Sequence, residues 1–160
     1  MNPHPTTLPE RVAAAMLAND SATTSLGMRV DSVGEFTATL SMPVRADMLN
    51  GHATCHGGFI FALADSAFAF ACNSDNQRTV AAGCQIDYVR PVHEGDELRA
   101  VATVQVQGLR LGVFDVQVSN QYGKIVALFR GKSSRIGGSV IDEHVVDVLA
   151  ASSLSSGHTP

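Results

Sequence analysis

The chain has 160 residues and a formal net charge of −4, from 11 Lys and Arg against 15 Asp and Glu. Its 16.8 kDa suffices for one core without staples or metals and is too little for a second independent domain. No basic run exceeds two residues, so no nucleic-acid partner is expected, and any anionic ligand must be met by a few placed Arg or Lys.

Residues 1–8 are polar and proline-bearing and read as a loose arm. Residues 9–19 predict a short helix: Pro9 and Glu10 suit its first turn, and Val12, Met16 and Leu17 share one face. From Phe36 to Met42 the chain alternates strictly. Phe36, Ala38, Leu40 and Met42 fall on one side, and Thr37, Thr39 and Ser41 on the other, as in a half-buried strand. Met28–Val33 is its expected hairpin partner, turning at Gly34-Glu35. The glycine-rich stretch Asn50–Gly58 then leads into an apolar helix over 57–73, ending at Asn73-Ser74-Asp75-Asn76.

Four further strands follow, Val80–Arg90, Glu97–Gln107, Leu111–Asn120 and Lys124–Ser134, the last two joined by a turn at Gln121-Tyr122-Gly123. Beyond residue 134 the pattern fades. Val140–Ala151 reads as a weak amphipathic helix and Ser152–Pro160 as disordered. Antiparallel strands with short turns around one long helix give an α+β architecture. The expected organisation is a single domain over 1–138 and a partly disordered tail over 139–160. Cys55, Cys72 and Cys84 are an odd number without CxxC spacing, and the N-terminus shows no basic-then-apolar leader. Free thiols and a cytoplasmic location are therefore expected.

Within Phe59–Cys72, 12 of 14 residues are apolar, on every side of the helix. A bilayer span needs about 20 such residues, so no membrane partner is expected and protein must enclose this helix. The simplest enclosure is the antiparallel sheet, wrapped around it. Asp65 then sits mid-helix, where an unpaired charge is costly. Either it faces a wet crevice or its pKa is pushed up, and catalytic carboxylates occupy both environments. The plain alternative is a structural Asp held by a backbone amide or an Arg. Gly57-Gly58 supplies the second clue. A helix N-terminus has free N–H groups, and glycine lets a phosphate or a carbonyl oxyanion approach them. Plain helix-start geometry is the alternative.

Three other patterns carry less. His52-x3-His56 with Cys55 between lies in a glycine-flanked loop without a distant ligand pair, so no metal is expected. His-Gly-Gly without a GxSxG elbow is not the oxyanion loop of an α/β-hydrolase. Gly131-Lys132-Ser133 lacks the earlier glycine of a P-loop.

Taken together, Asn50-x5-His56-Gly57-Gly58-x6-Asp65, followed by IDYVRP and VALFRGKSSRIGG, resembles the hotdog-fold acyl-CoA thioesterases. The closer likeness is to their PaaI-type branch, linked to phenylacetic acid degradation, over residues 16–138. The resemblance implies a sheet wrapped around one long helix, dimers that pair those sheets, and commonly a tetramer. It implies hydrolysis of an acyl-CoA thioester without a cofactor, coenzyme A being part of the substrate. Phenylacetyl-CoA and its ring-hydroxylated relatives are the expected acyl substrates. Carried over by position, Asp65 is nucleophile or general base and the Gly57 amide the oxyanion donor, with His56 and Asn50 shaping that site. Gly58 lies beside it, and Asn19 matches a residue placed near the acyl pocket. Phe61, Leu63 and Phe68 are its expected walls. Arg90, Arg110, Lys132 and Arg135 are candidates for the coenzyme A phosphates. The chain departs from some related branches in having Ala81-Ala82 where they place a serine. A hotdog hydratase or dehydratase, or a non-catalytic acyl-CoA-binding regulator, are the competing readings.

On the thioesterase reading, spacing adds a requirement. Gly57 and Asp65 lie about 12 Å apart along one helix, whereas both must come within about 3 Å of one carbonyl. Two antiparallel helices related by a two-fold axis can satisfy this, so the enzyme must be at least a dimer.

Overall fold

Thr7 opens the first helix, α1 (Leu8–Ala18), with a capping box: its hydroxyl accepts from the Glu10 amide, and the Glu10 carboxylate accepts from the Thr7 amide. A computed structural model of the chain describes residues 6–142. A single further turn, α2 (Ser21–Ser25), follows directly and was not visible in the sequence. SATTS has little helix propensity, and what holds it is Asp20, whose carboxylate accepts from the Thr23 amide at 2.9 Å and the Thr23 hydroxyl at 2.6 Å.

Six strands form one antiparallel sheet: β1 (Arg29–Gly34), β2 (Thr37–Pro43), β3 (Gln77–Tyr88), β4 (Glu97–Gln107), β5 (Leu111–Ser119) and β6 (Ile125–Ser139). Their order is β1-β2-β4-β5-β6-β3. The long helix α3 (Gly57–Cys72) touches all six. A flat sheet of this size is about 24 Å wide and a helix about 10 Å across, so contact with every strand requires the sheet to curl around the helix. That is the expected wrapping. Leu63, Ala67, Phe68 and Phe70 of α3 meet Leu40, Phe114 and Val116 of the sheet in one core.

Several boundaries differ from expectation. The first hairpin turns at Glu35-Phe36, and Phe36 takes a left-handed φ of 54° instead of starting the strand. β2 is not half-buried, since Thr39 and Ser41 are only 6% and 5% exposed and the Ser41 hydroxyl donates to Asp31 at 3.0 Å. β6 continues to Ser139 because β3 begins at Gln77 and supplies a partner, Gln77 opposite Ser139. Pairing therefore carries a stretch, RIGGS, that has no alternation of its own. After β6, Asn76 accepts from the amides of Val140 and Ile141 at 3.0 and 2.9 Å. Val140–Asp142 are irregular, not helical. The remainder of that expected helix, Ser152–Pro160 and most of the expected N-terminal arm lie outside the described residues.

No helix among the described residues is long and apolar enough to cross a membrane.

Candidate active site

His56 caps α3. Its Nδ1 accepts from the Gly58 amide at 3.0 Å, and its carbonyl accepts from Phe59 at 3.0 Å. Accepting at Nδ1 requires a ring that carries no proton there. The Gly58 N–H is thereby occupied. The Gly57 N–H makes no hydrogen bond among the described residues, so this donor remains free at the positive end of the helix.

Tyr88 lies directly over Gly57. Its hydroxyl donates to the Gly57 carbonyl at 2.9 Å. A Cβ at position 57 would come within 2.9 Å of the Tyr88 ring, so the close approach requires glycine there. Gly57, Ile60, Tyr88 and Arg90 help to line an open cleft of about 480 Å³ at this end of the helix.

Asp65 stands two turns further along and is half-buried. Burial pushes its carboxyl up from the ordinary value of 3.8, and a hydrogen bond from Cys84 pulls against that rise. Cys84 Sγ lies 3.8 Å from Asp65 Oδ1. Among the described residues neither an Arg nor a backbone amide holds Asp65, so the structural alternative lacks its partner. The next residue, Ser66, meets the Thr23 hydroxyl at 3.3 Å, which docks the α1–α2 corner beside Asp65. Asn19 caps α1 at that corner, exposed, its amide donating back to the Ala15 carbonyl at 3.4 Å.

The remaining candidates scatter. Asn50 spends its side chain on its own loop: Oδ1 accepts from the His52 and Thr54 amides at 2.9 and 3.3 Å, and Nδ2 donates to the Thr54 hydroxyl at 3.0 Å. Phe61 shares a helix face with Asp65 and packs edge-on against Phe129, ring centres 5.5 Å apart. Phe68 and Leu63 are 1% and 0% exposed and belong to the core, not to an open wall. Phe68 is fixed there by Phe114, at 5.6 Å, and by Gly131, where a Cβ would strike its ring.

The cations fall into two groups. Arg90 donates to the Ile125 carbonyl near the Gly57 cleft. Lys132 is exposed on β6, five residues from the position opposite Tyr88, or about 17 Å away along the strand. Arg110 sits near the Lys132 end, its carbonyl accepting from the Arg135 amide at 2.9 Å. The Arg135 guanidinium is engaged with Asp75.

Sequence reasoning missed Cys84 and Tyr88 as contacts of the site. Tyr88 lay within a quoted motif, but which face of β3 meets the helix depends on a bulge that composition does not reveal.

Residues 52–127 match the Thioesterase superfamily. The acyl-coenzyme A thioesterase PaaI of Escherichia coli K12 is 51% identical over 131 residues, 82% of this chain and 94% of that protein. The solved structure of E. coli PaaI, from the phenylacetic acid degradation operon, superposes with a TM-score of 0.83 at 48% identity, covering 85% of this chain and 99% of its own. A Streptococcus mutans protein solved with acetyl-CoA bound is 25% identical, with a TM-score of 0.68 over 70% of this chain and 90% of its own.

Proposed function

The chain belongs to the thioesterase superfamily, and from that premise we propose that it hydrolyses phenylacetyl-CoA and ring-hydroxylated relatives at sites shared between two copies. Its sheet curled around α3 is the hotdog fold, and the enzyme is an acyl-CoA thioesterase.

One observation carries the assignment of residues. The unoccupied Gly57 N–H and the proton-attracting carboxylate of Asp65 stand on one helix. The Gly57 donor and the helix dipole polarise the thioester carbonyl and stabilise the oxyanion that forms on it. Asp65 of the other copy either attacks the carbonyl carbon, giving an anhydride and expelling the thiolate, or takes a proton from the attacking water. His56 holds the first turn in place by capping it. Asn50 acts one step further back, by folding the loop that presents His56.

Two copies meet along β3, the strand that leaves one sheet edge open over 12 residues. Antiparallel pairing there runs the two α3 helices past each other in opposite directions, and dimers associate further into a tetramer. The S. mutans relative binds acetyl-CoA, and the coenzyme A part of a substrate finds cations here at Arg110 and Lys132 at one end and Arg90 at the other. The acyl group lies on the Asp65 face beside Phe61, close to the corner that carries Asn19. A second ring in that position gains about 0.5–1.5 kcal/mol beyond its buried area.

Initial rates over a panel of CoA thioesters, followed by release of free thiol, test this reading. Phenylacetyl-CoA is expected to exceed acetyl-CoA in kcat/KM by about 2- to 12-fold, the equivalent of that ring contact. Faster cleavage of acetyl-CoA or palmitoyl-CoA would refute the aromatic pocket.

A further inference from the structure

β3 does not run regularly along its neighbour. Its pairing with β6 shifts between Ala81 and Gly83, opposite Ser133 and Lys132, which leaves Ala82 as a bulge. A bulge exchanges the two faces of a strand beyond it. Before it, Thr79 and Ala81 are inward, Ala81 lying opposite the fully buried Ser133. After it, Cys84, Ile86 and Tyr88 turn inward, opposite Gly131, Phe129 and Ala127. Two of these three reach the groups assigned to catalysis: Tyr88 touches Gly57 and Cys84 touches Asp65. The spacings match, because four strand residues and eight helix residues both span about 12–13 Å. Without the bulge, the side chain at 84 would face away from α3.

Resting on the reading of Asp65 as the reacting carboxylate, we propose that Cys84 is its positioning residue. The thiol donates to Oδ1 and fixes the carboxylate rotamer, leaving Oδ2 for the reacting carbon or the attacking water. Cys84 is exposed at the strand edge, yet partial shielding from water and the neighbouring Asp65 charge both push its thiol up, so it keeps its proton and remains a donor at neutral pH. The surroundings offer Asp65 little else. Cys84 faces it from β3, and Cys72 is the titratable group further along its own helix. Asp20 of the α1–α2 corner reaches toward it only through Thr23 and Ser66. Among the described residues no Lys, Arg or His pairs with it, and Cys84 is its hydrogen-bond partner.

The test is the pH dependence of kcat and kcat/KM for Cys84→Ala, Cys84→Ser and Asp65→Asn. Removing a donor to the charged carboxylate raises its pKa, so Cys84→Ala should move the acid limb to higher pH. It should also lower kcat by about 2- to 12-fold, the range for one hydrogen bond, at unchanged KM. Cys84→Ser should return both toward wild type. A uniform loss with an unmoved limb, or a serine variant no better than alanine, would overturn the proposal. So would a wild-type profile in Cys84→Ala alongside an inactive Asp65→Asn enzyme. An active Asp65→Asn enzyme would instead overturn the underlying reading of Asp65.

Discussion

β1, at one edge of the sheet, has six residues, carries Arg29 and Asp31, and shifts register between Val30 and Ser32. α1 packs beside it. β3, at the other edge, has 12 residues, and no charge falls between Thr79 and Ile86. Only Thr79 of that strand is buried, and Val80 is 46% exposed. Short, charged and covered edges resist pairing with another chain, whereas a long uncharged edge invites it. The contrast supports the proposed assembly: one edge is finished within the chain, and the other is left free for a second copy. The separation of Gly57 from Asp65 along α3 points the same way if both serve one carbonyl.

Breaking the contrast should have the largest effect. A charge on the open edge, Val80→Glu, is expected to yield monomers by analytical ultracentrifugation and to reduce thioester turnover to background. The same charge on the closed edge, Ser32→Glu, should leave the assembly mass unchanged and turnover within about threefold of wild type, as surface changes usually do. A dimeric, active Val80→Glu enzyme would remove β3 from the interface.

The next effect leaves assembly intact and removes only the carboxylate. Asp65→Asn should keep the dimer and lower kcat by at least about 10²-fold, the low end for loss of a general base. Turnover within about threefold of wild type would contradict the assignment. The same variant carries the smallest effect, on stability. Because the folded-state pKa of Asp65 is raised above 3.8 by burial, the folded form binds more protons than the unfolded chain between the two values. Stability therefore falls as pH rises through that window, and the cost of the buried charge persists at neutral pH. Asp65→Asn should raise Tm by a few degrees at pH 7, with the gain vanishing below the ordinary carboxylate range. A Tm lowered at pH 7 would mean that the charge is stabilised by a partner.

Much of this fold was legible because its signals are local. The alternation of β4 and the all-round apolar α3 can each be read within one window, and the positions of Asp65 and Gly57 on α3 follow. What stayed hidden depends on partners. The end of β6 is set by β3, and α2 by one Asp20 cap. A helix apolar on every side does not say which face meets the core, so Phe68 was expected beside the substrate and lies instead against Phe114. The Ala82 bulge, which alone turns Cys84 toward Asp65, leaves no mark in hydrophobic periodicity.

Complementation tests the shared site most directly. Asp65→Asn chains lack the base, and Gly57→Pro chains lack the oxyanion N–H while keeping a residue tolerated at the first helical position; the exposed Tyr88 ring must swing aside to admit it. Each homodimer should be inactive. After unfolding together, refolding and verification of heterodimers by mass, each heterodimer holds one site with an intact Gly57 and an intact Asp65. With random pairing, activity should return to about a quarter of wild type, because half of the dimers are mixed and each has one working site. Verified heterodimers without activity would contradict a site built from two copies.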